Sequence, residues 1–360
     1  MKTALVHDWL IEFAGAEKVL EIIYDITKSP IYTLFSDKSS LEDTLLKDAK
    51  INTSFLQNFP GLKKFYKHLL PFYSRAIESF DLSGYDHIIS SSHAVAKGVK
   101  TNKDQTHICY CHTPMRYAWD VYSDYLSSMS YFEKAPFKLT VDWLKKWDIE
   151  NSKNVDHFIA NSKFIADRIK RIYKRNSQVI YPPVNTKFFE IKEQKDDYYL
   201  FVGRLANVYK RVDIIVEAFN SLNKSLVIIG EGPDAKQLKA NAKNNIEFLG
   251  RLNTDKVKQY MQKAKALIFP SLDDFGIVPV EAQACGTPVI AYRGGGALET
   301  IIENKTGIFF NKQTKYSLIE AVLDFDKIQH KFEPKLIRKN AERFSRENFI
   351  KKFKKVIIKK

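Results

Sequence analysis

The chain has few cysteines and no long apolar run. Only 3 of its 360 residues are cysteine, too few for the disulfide framework of a small secreted protein. No segment approaches the roughly 20 apolar residues that a membrane-spanning helix needs. The opening "MKTALVHDWL" lacks the extended apolar core and small-residue cleavage site of a signal peptide, because Asp8 and Glu12 follow at once. We therefore expect a cytoplasmic protein.

Acidic residues are scarce in two regions. The formal net charge is +15, and residues 331–360 hold 12 basic and 3 acidic side chains. No acidic residue occurs from Lys50 to Ile77, where "FPGLKKFYKHLLPFYSR" interleaves basic and aromatic residues. This pattern is typical of a surface that lies on an anionic membrane, and a merely solvated face is the alternative. The sequence lacks zinc-finger, helix-turn-helix and aromatic RNA-binding signatures, which argues against nucleic acid as a partner.

Apolar runs alternate with helix-length segments in two series. The first series comprises residues 3–7, 30–35, 87–90, 107–111, 157–161 and 178–182, and the second residues 198–203, 225–230, 246–250, 266–270, 288–292 and 307–311. Because these runs are apolar on both faces, they predict two parallel sheets covered by helices. The intervening "YPPVNTKFFEIKEQKDD" (181–197) has the composition of an interdomain linker. We therefore predict α/β domains over residues 1–182 and 198–340.

Two candidate ligand groups follow strands of the first series, at the edge where parallel sheets bind ligands. Gly15 lies in a turn before a helix expected to begin near Glu17, where backbone N–H groups could meet an anion. An ordinary tight turn is the simpler explanation of that pattern. His112 directly follows the run 107–111. Cys109 and Cys111 alternate onto one face of this strand, which favours packed core over a zinc site.

Two further clusters follow strands of the second series. Arg204 and Lys210 flank a short loop before a helix expected near Val212, as a pyrophosphate clamp would, although surface charges are common in this chain. In "SLDDFGIVPVEAQACGTPVIA" (271–291), Asp273 lies in the loop. Glu281 is expected in the first turn of a helix opened by Pro279, where the helix dipole favours a carboxylate. Helix capping is the alternative role of Glu281.

These clusters occur together in one known family. "DDFGIVPVEAQACGTPVIA" resembles the E-x7-E motif of retaining GT-B glycosyltransferases of family 4, also called glycosyl transferases group 1. "GRLANVYKRVDIIVEAF" is similar to the family's Arg/Lys phosphate motif, "AGAEKVL" to its glycine loop and "HTPMRY" to its sugar-facing histidine. "HDWL" and "HTPMRYAWD" look most like bacterial mannosyltransferases of O-antigen-type pathways. The resemblance implies two Rossmann-like domains facing each other across a cleft, with the helix 341–360 returning to the N-terminal domain.

The resemblance also implies roles for the second-series residues. Glu281 would bind the ribose hydroxyls, and Arg204 and Lys210 would neutralise the diphosphate leaving group. Asp273 would hold hydroxyls of the transferred sugar. The backbone amides that would assist it belong to Phe275, Gly276 and Ile277.

In the first series, the resemblance gives Gly15 a backbone contact to the diphosphate and His112 a contact to the sugar near the reacting carbon. Two departures from the family pattern occur. Asp273 stands where the family usually has Glu, so the adjacent Asp274 is a candidate to share its task. The glycine loop reads Ala14-Gly15 rather than Gly-Gly.

The expected activity is retaining sugar transfer from a nucleotide-sugar. GDP-mannose is the first donor expectation and a UDP-sugar the second, and the acceptor is expected to be a lipid-linked surface glycan at the inner face of the plasma membrane. No Asp-x-Asp motif is placed to hold a divalent ion, so no metal and no other cofactor is expected. A UDP-sugar 2-epimerase and a non-catalytic nucleotide-sugar-binding subunit are alternatives, against which the paired motifs argue.

Overall fold

The chain folds into two compact α/β units. A computed structural model describes residues 2–119, 131–192 and 194–358. Unit 1 contains the residues up to Tyr181 together with those from Ile350, and unit 2 runs from Pro182 to Phe349. The segment 181–197 therefore begins at the boundary. Its later residues pack on unit 2, where the Lys195 ammonium donates to the Gln262 carbonyl at 2.8 Å.

Unit 1 is built on a sheet of seven parallel strands. The strands are β1 Thr3–His7, β2 Ile31–Thr33, β3 Ile51–Thr53, β4 His87–Ser92, β5 Thr106–Cys111, β6 His157–Ala160 and β7 Ser177–Val179. Their order is β3-β2-β1-β4-β5-β6-β7. The chain changes direction across the sheet between β1 and β4, the position at which doubly wound sheets bind ligands. Six of these strands were predicted, and β3 was not.

The described residues before Tyr181 form six helices. They are α1 Gly15–Thr27, α2 Leu62–Phe65, α3 Tyr73–Glu78, α4 Arg116–Trp119, α5 Tyr131–Ser152 and α6 Lys163–Tyr173. Helix α1 buries Val19, Leu20 and Ile23 at the spacing of one apolar helix face. Helix α6 begins after Ser162, whose side chain accepts a hydrogen bond from the Ile165 N–H.

A buried ion pair fixes α5 in unit 1. Lys97 follows β4, and its ammonium pairs with the Asp148 carboxylate of α5, both side chains being almost fully buried. The same carboxylate accepts hydrogen bonds from the Trp119 indole at 2.9 Å and the Tyr173 hydroxyl at 2.7 Å. Breaking such a pair strongly destabilises the fold, because removal of one partner leaves a buried charge uncompensated.

Unit 2 contains a sheet of six parallel strands, all of which were predicted. The strands are β8 Tyr199–Val202, β9 Leu226–Ile229, β10 Ile246–Gly250, β11 Ala266–Phe269, β12 Val289–Tyr292 and β13 Gly307–Phe310. Their order is β10-β9-β8-β11-β12-β13, so the direction changes between β8 and β11. The strands are short, and apart from the edge strand β10 nearly all of their residues are buried, as in a parallel sheet covered on both faces.

The remaining helices follow these strands. They are α7 Asn207–Lys210, α8 Val212–Leu222, α9 Ala235–Asn241, α10 Thr254–Lys263, α11 Ile277–Ala284, α12 Ala297–Thr300, α13 Lys315–Ile328, α14 Pro334–Ala341 and α15 Arg346–Ile358. Short 3-10 turns span Lys38–Ser40, Phe55–Asn58, Tyr66–Phe72, Ala96–Gly98, Gln329–Lys331 and Glu342–Phe344. Helix α15 crosses the boundary between the units. Within the described ranges, no helix has the length and apolarity to cross a membrane.

Candidate active site

The carboxyl ends of β8 and β11 bring the predicted clamp residues together in unit 2. These strands are sheet neighbours although two others separate them in sequence. Arg204 follows β8, Lys210 ends α7, and Asp273 follows β11. Lys210 and Asp273, 63 positions apart in sequence, meet at this edge. The parallel topology explains the meeting, because it sends the loops after both strands to the same side.

Lys210 and Asp273 form an ion pair at this edge. The Lys210 Nζ donates to Asp273 Oδ2 at 2.5 Å, and the two side chains are 21% and 17% exposed. The ammonium also lies 6.0 Å from the centre of the Phe269 ring. The bond to Asp273 uses one of three ammonium hydrogens, so an anionic ligand can still be bound. The family resemblance gives Lys210 to the diphosphate of a nucleotide-sugar and Asp273 to the transferred sugar. These two residues are therefore in direct contact.

Three consecutive glycines after β12 shape the loop that carries Asp273. A Cβ on Gly295 would lie 2.3 Å from the Asp273 carbonyl oxygen, and one on Gly296 would lie 2.3 Å from the Phe275 Cα. The Gly296 N–H donates to that Asp273 carbonyl at 2.9 Å. Only glycine permits so close an approach. These glycines were not among the predicted site residues, although the run from Gly294 is visible in the sequence.

Gly276 connects the Asp273 loop to α11. Its φ of +85° is a conformation that side chains disfavour, and it is the N-cap of the helix. The helix begins at Ile277, two residues before Pro279, which was predicted to open it. Glu281 therefore lies in the second turn, and the prediction that it occupies the first turn was wrong. Glu281 is only 8% exposed and interacts with other residues of the protein.

Buried polar side chains hold α11 in place. The Gln283 amide donates to the Thr300 carbonyl at 3.0 Å and accepts from the Asn340 amide at 2.7 Å. Arg338 donates to the Ala284 carbonyl at 2.8 Å. This cation lies at the C-terminal end of α11, where the helix dipole favours positive charge. These bonds connect α11 to α12 and α14, so Glu281 is carried on a fixed helix.

Arg204 lies on a loop packed against a second glycine-containing loop. A Cβ on Gly230 would lie 1.8 Å from the Gly203 carbonyl oxygen, and one on Gly232 would lie 2.2 Å from the Leu205 carbonyl oxygen. Larger residues at either position would displace the Arg204 loop. The Arg204 side chain is exposed. Its loop is thus fixed while its guanidinium is available to solvent at the ligand-binding edge of the sheet.

In unit 1, Gly15 is the first residue of α1. The N-cap is Ala14, so the helix begins two residues before Glu17, where it was expected. The Glu17 carboxylate reaches back and accepts a hydrogen bond from the Ala14 N–H at 2.9 Å. Gly15 therefore lies at the N-terminus of a 13-residue helix. Backbone N–H groups at such a position favour an anion.

His112 lies directly after β5 and is 8% exposed. Its Nε2 lies 2.8 Å from the Ser91 hydroxyl, and its backbone carbonyl accepts from the Asn161 amide at 2.9 Å. Burial lowers the pKa of His112 well below its ordinary value, and the neighbouring histidines act in the same direction. His112 is therefore neutral near pH 7. Asp120, at the end of the "HTPMRYAWD" motif, lies outside the described residues.

Asp8 was not predicted as a site residue, although it directly follows β1 in "HDWL". It is fully buried. Its Oδ2 accepts from the N–H groups of His93 at 2.6 Å and Ala94 at 3.0 Å, and its Oδ1 from those of Val95 at 2.6 Å and Ala96 at 2.7 Å. Burial alone would raise the pKa of Asp8, but the nearby histidines and these N–H groups hold it below its ordinary value. The carboxylate thus fixes the loop after β4.

Cys109 and Cys111 are free and buried, which confirms the prediction that they belong to the core. They pack with Phe158, Ile165 and Tyr173. In the part of the chain that the structure describes, no group of three or more His, Cys, Asp or Glu side chains is arranged to hold a metal ion.

Two family models match consecutive parts of the chain. Residues 32–188 match the model for Glycosyltransferase Family 4, and residues 184–344 match the model for glycosyl transferases group 1. The chain belongs to the family 4 glycosyltransferases. The second match contains every predicted clamp residue of unit 2, and the first contains His112.

Several curated glycosyltransferases are similar to the chain in sequence. An uncharacterized glycosyltransferase of Methanocaldococcus jannaschii, MJ1178, is 34% identical over 54% of this chain and 56% of its own length. The O-antigen chain mannosyltransferase RfbU of Salmonella typhimurium is 29% identical over 45% of this chain and 47% of its own. The alpha-1,3/1,6-mannosyltransferase ALG2 of Dictyostelium discoideum is 26% identical over 57% of this chain and 58% of its own length. The chain thus spans about half the length of these relatives.

Solved structures are similar over the whole chain. HepE (Alr3699) of Anabaena, solved in complex with UDP, superposes with a TM-score of 0.74 at 16% identity and covers 100% of both chains. Sucrose-phosphate synthase of Thermosynechococcus elongatus has a TM-score of 0.75 at 18% identity, covering 100% of this chain and 99% of its own. At these identities the likeness establishes the fold alone. The predicted GT-B fold of two Rossmann-like units is confirmed.

The departure from the usual family 4 motif at Asp273 can be tested by substitution. We expect Asp273→Glu to retain more transfer activity than Asp273→Asn, because Glu keeps a negative partner for Lys210. The Asn variant should lose about 10- to 100-fold in rate, the worth of a hydrogen bond to a charged group. Initial rates at saturating donor measure this, with Asp274→Asn as the adjacent comparison. A more active Asn variant would reassign the sugar contact to Asp274 or another group.

Proposed function

We propose that the protein is a retaining glycosyltransferase that moves a sugar from a nucleotide-sugar to a lipid-linked glycan acceptor. The first candidate donor is GDP-mannose, which would supply mannose. The observation that carries this proposal is the Lys210–Asp273 ion pair at the strand-order reversal of unit 2. A cation for a diphosphate and a carboxylate for sugar hydroxyls meet there. Arg204 on the adjoining loop and Glu281 on α11 supply the second cation and a carboxylate suited to a ribose diol.

The proposed chemistry relies on stabilising the leaving group. As the bond from the sugar's anomeric carbon to the diphosphate breaks, negative charge grows on the diphosphate, so contacts from Arg204 and Lys210 strengthen in the transition state. The acceptor oxygen attacks the same face of the sugar, and the departing phosphate oxygen takes the acceptor's proton. No protein nucleophile is assigned. With two cationic side chains in place, we propose that no divalent metal is needed.

Two donors are favoured by different observations. RfbU and ALG2 are named as mannosyltransferases, and a further relative of 30% identity is the D-rhamnosyltransferase WbpZ of Pseudomonas aeruginosa. These names support a GDP-sugar of the mannose series. HepE of Anabaena was solved with UDP and with UDP-glucose. That likeness keeps a UDP-sugar as the second candidate donor.

The donor and the activity can be tested together. Thermal unfolding is followed with a panel of nucleotide-sugars, since a ligand that binds the folded protein raises the melting temperature by mass action. The stabilising donors are then offered with a lipid-linked glycan in buffer containing EDTA. Transfer of the sugar supports the proposal. Conversion of donor without an acceptor would indicate a 2-epimerase, and binding without any turnover would indicate a non-catalytic subunit.

We also propose that unit 1 binds the membrane surface that holds such an acceptor, through the docking face formed by residues 55–75. Four phenylalanines of this face are 42–53% exposed: Phe55, Phe59, Phe65 and Phe72. The ammonium groups of Lys64 and Lys67 lie over neighbouring aromatic rings, while Lys63 pairs with Asp37. Basic groups attract anionic headgroups, and exposed aromatic rings add apolar burial at the interface.

Replacing Lys63, Lys64 and Lys67 together with Glu should release the protein from anionic vesicles. At about 1 kcal/mol for each basic residue, binding should weaken by about 100-fold or more. Co-sedimentation with phosphatidylserine vesicles at low and high salt measures the change. A control with Glu at the exposed Lys47, Lys100 and Lys103 should sediment like the parent. If the docking-face variant also does so at both salt concentrations, this face does not bind the membrane.

A further inference from the structure

A buried histidine of unit 1, His7, connects the Gly15 turn to His112. His7 is the last residue of β1 and pairs in register with Ser91 of β4. Its Nδ1 lies 2.9 Å from the Ser91 carbonyl oxygen, and its Nε2 lies 3.4 Å from the Glu17 carboxylate. Glu17 accepts from the N-cap of α1, next to Gly15, and the Ser91 hydroxyl contacts His112. The contacts form a continuous path between the two predicted ligand residues of unit 1.

The partners of His7 determine its protonation state. A carbonyl oxygen and a carboxylate can only accept, so both ring nitrogens of His7 must donate. The neutral ring has one N–H, and therefore only the imidazolium satisfies both contacts. Burial alone would lower the pKa of His7, but the hydrogen bond and charge of Glu17, with Asp8, raise it above its ordinary value. The two contacts and the raised pKa therefore favour the imidazolium form of His7, whose side chain is fully buried.

We propose that His7 is a positioning residue, which as an imidazolium fixes the Gly15 turn through Glu17 and the His112 ring through Ser91. This inference rests on the proposed function, because it takes Gly15 and His112 to be ligand groups. A carboxylate at the start of a helix would repel an anion bound there. The charge of His7 neutralises Glu17 and so leaves the N-terminus of α1 favourable to a diphosphate.

Four titratable groups surround His7. Glu17 faces it from α1, Asp8 follows it in sequence, and the His93 ring, after β4, has its centre 5.6 Å away. The fourth group is His112, whose pKa is lowered in part by the charge of His7. Burial, opposed by Asp8, lowers the pKa of His93. Of the three histidines, His7 is therefore the one that stays protonated when the pH rises above the ordinary histidine range.

Raising the pH should disrupt the contact between His7 and Glu17. When His7 loses the Nε2 proton, a ring lone pair faces the Glu17 carboxylate, and the positive charge that lowers the pKa of Glu17 is lost. The stabilisation from His7 is thus present below the ordinary histidine pKa and lost as the pH rises through its raised value. Donor binding and transfer should decline over that same alkaline range.

The charge of His7 can be measured without any activity. Ring resonances of the full-length protein, with histidine labelled selectively, are titrated by NMR, and His7 is assigned by its disappearance in His7→Asn. Its pKa should exceed the ordinary value, and Glu17→Gln should reduce it by about one pH unit or more, since an opposite charge at this distance has that effect. A His7 pKa that is ordinary or unaffected by Glu17→Gln overturns the proposal, whether or not transfer is detected.

The positioning role predicts a pH profile that an inert core residue would not produce. His7→Asn keeps a donor for the Ser91 carbonyl but carries no charge. This variant should have kcat/KM reduced by up to about 100-fold, as expected for a misplaced ligand group, and should lack the alkaline decline. Glu17→Gln should shift the decline to lower pH. The matched control is His87→Asn, at the opposite end of β4, which should keep the wild-type profile. An unchanged profile in His7→Asn overturns the proposal.

Discussion

Replacing Lys210 with alanine should lower the rate of sugar transfer by about 30- to 1000-fold while leaving unit 2 folded. This range corresponds to about 2–4 kcal/mol of transition-state stabilisation, the usual cost of removing one contact to a developing anion. The Lys210 ammonium lies at the ligand-binding edge, 2.5 Å from Asp273, so its removal should not open the core. Glu281→Ala should cause a loss of similar size. Rates at saturating donor, with melting curves, measure both effects.

The sheet of unit 2 offers a matched control in Lys224→Ala. Lys224 also pairs with an aspartate, Asp326, at 2.7 Å, and its side chain is 32% exposed. It precedes β9 and so lies at the amino edge of the sheet, away from the edge where ligands bind. The control should transfer sugar at close to the wild-type rate. If the folded Lys210→Ala protein transfers sugar as fast as the Lys224→Ala control, Lys210 does not bind the diphosphate.

The sheets could be predicted because their strands carry a strong local signal. Strands such as β9 and β11 are continuous apolar runs, and a parallel sheet buries both of their faces. Strand β3, Ile51–Thr53, was missed because it has three residues, only one of them apolar, at the edge of the sheet. Its pairing with β2 depends on a neighbour, which a local pattern does not show.

The site residues that could be predicted from the sequence are those whose own side chains carry the chemistry. Lys210 and Asp273 lie in the segments that follow β8 and β11, which the topology brings together, and their contact follows from the order of strands. Gly295 and Gly296 were missed because their role is a close approach to a loop more than 20 positions earlier in the sequence, near Asp273. The start of α11 was misplaced because Gly276, at φ +85°, can act as an N-cap without a capping side chain.

Asp8 was overlooked for a related reason, since its main partners are backbone N–H groups that no sequence pattern reveals. Four such groups, from residues 93–96, converge on one carboxylate. Such convergence requires the loop after β4 to turn around the end of β1. A charged residue directly after an apolar strand was the available signal, and in "HDWL" it followed a histidine that also proved to be buried.

Replacing Asp8 with asparagine should strongly destabilise unit 1. The Asn side chain has the same shape, but its amide carries hydrogens where a carboxylate oxygen accepted two N–H groups. Those buried donors lose their acceptor, and His93 loses a charged neighbour 3.1 Å away. We expect the free energy of unfolding to fall by about 3–5 kcal/mol, as for removal of one member of a buried charged pair. All four tryptophans belong to unit 1, so their fluorescence during urea unfolding follows this unit.

The effect of Asp8→Asn should also depend on pH. The pKa of Asp8 is held below its ordinary value, so its stabilising contribution is present above the pKa of an unfolded aspartate and is lost as the pH falls through the lower folded value. The difference in unfolding midpoint between wild type and variant should therefore narrow below about pH 4. Asp81→Asn is the control, because Asp81 is an exposed aspartate that accepts from the Ser83 N–H and hydroxyl, and its loss should change the midpoint little. A difference that stays constant on acidification would show that the charge of Asp8 does not hold the loop after β4.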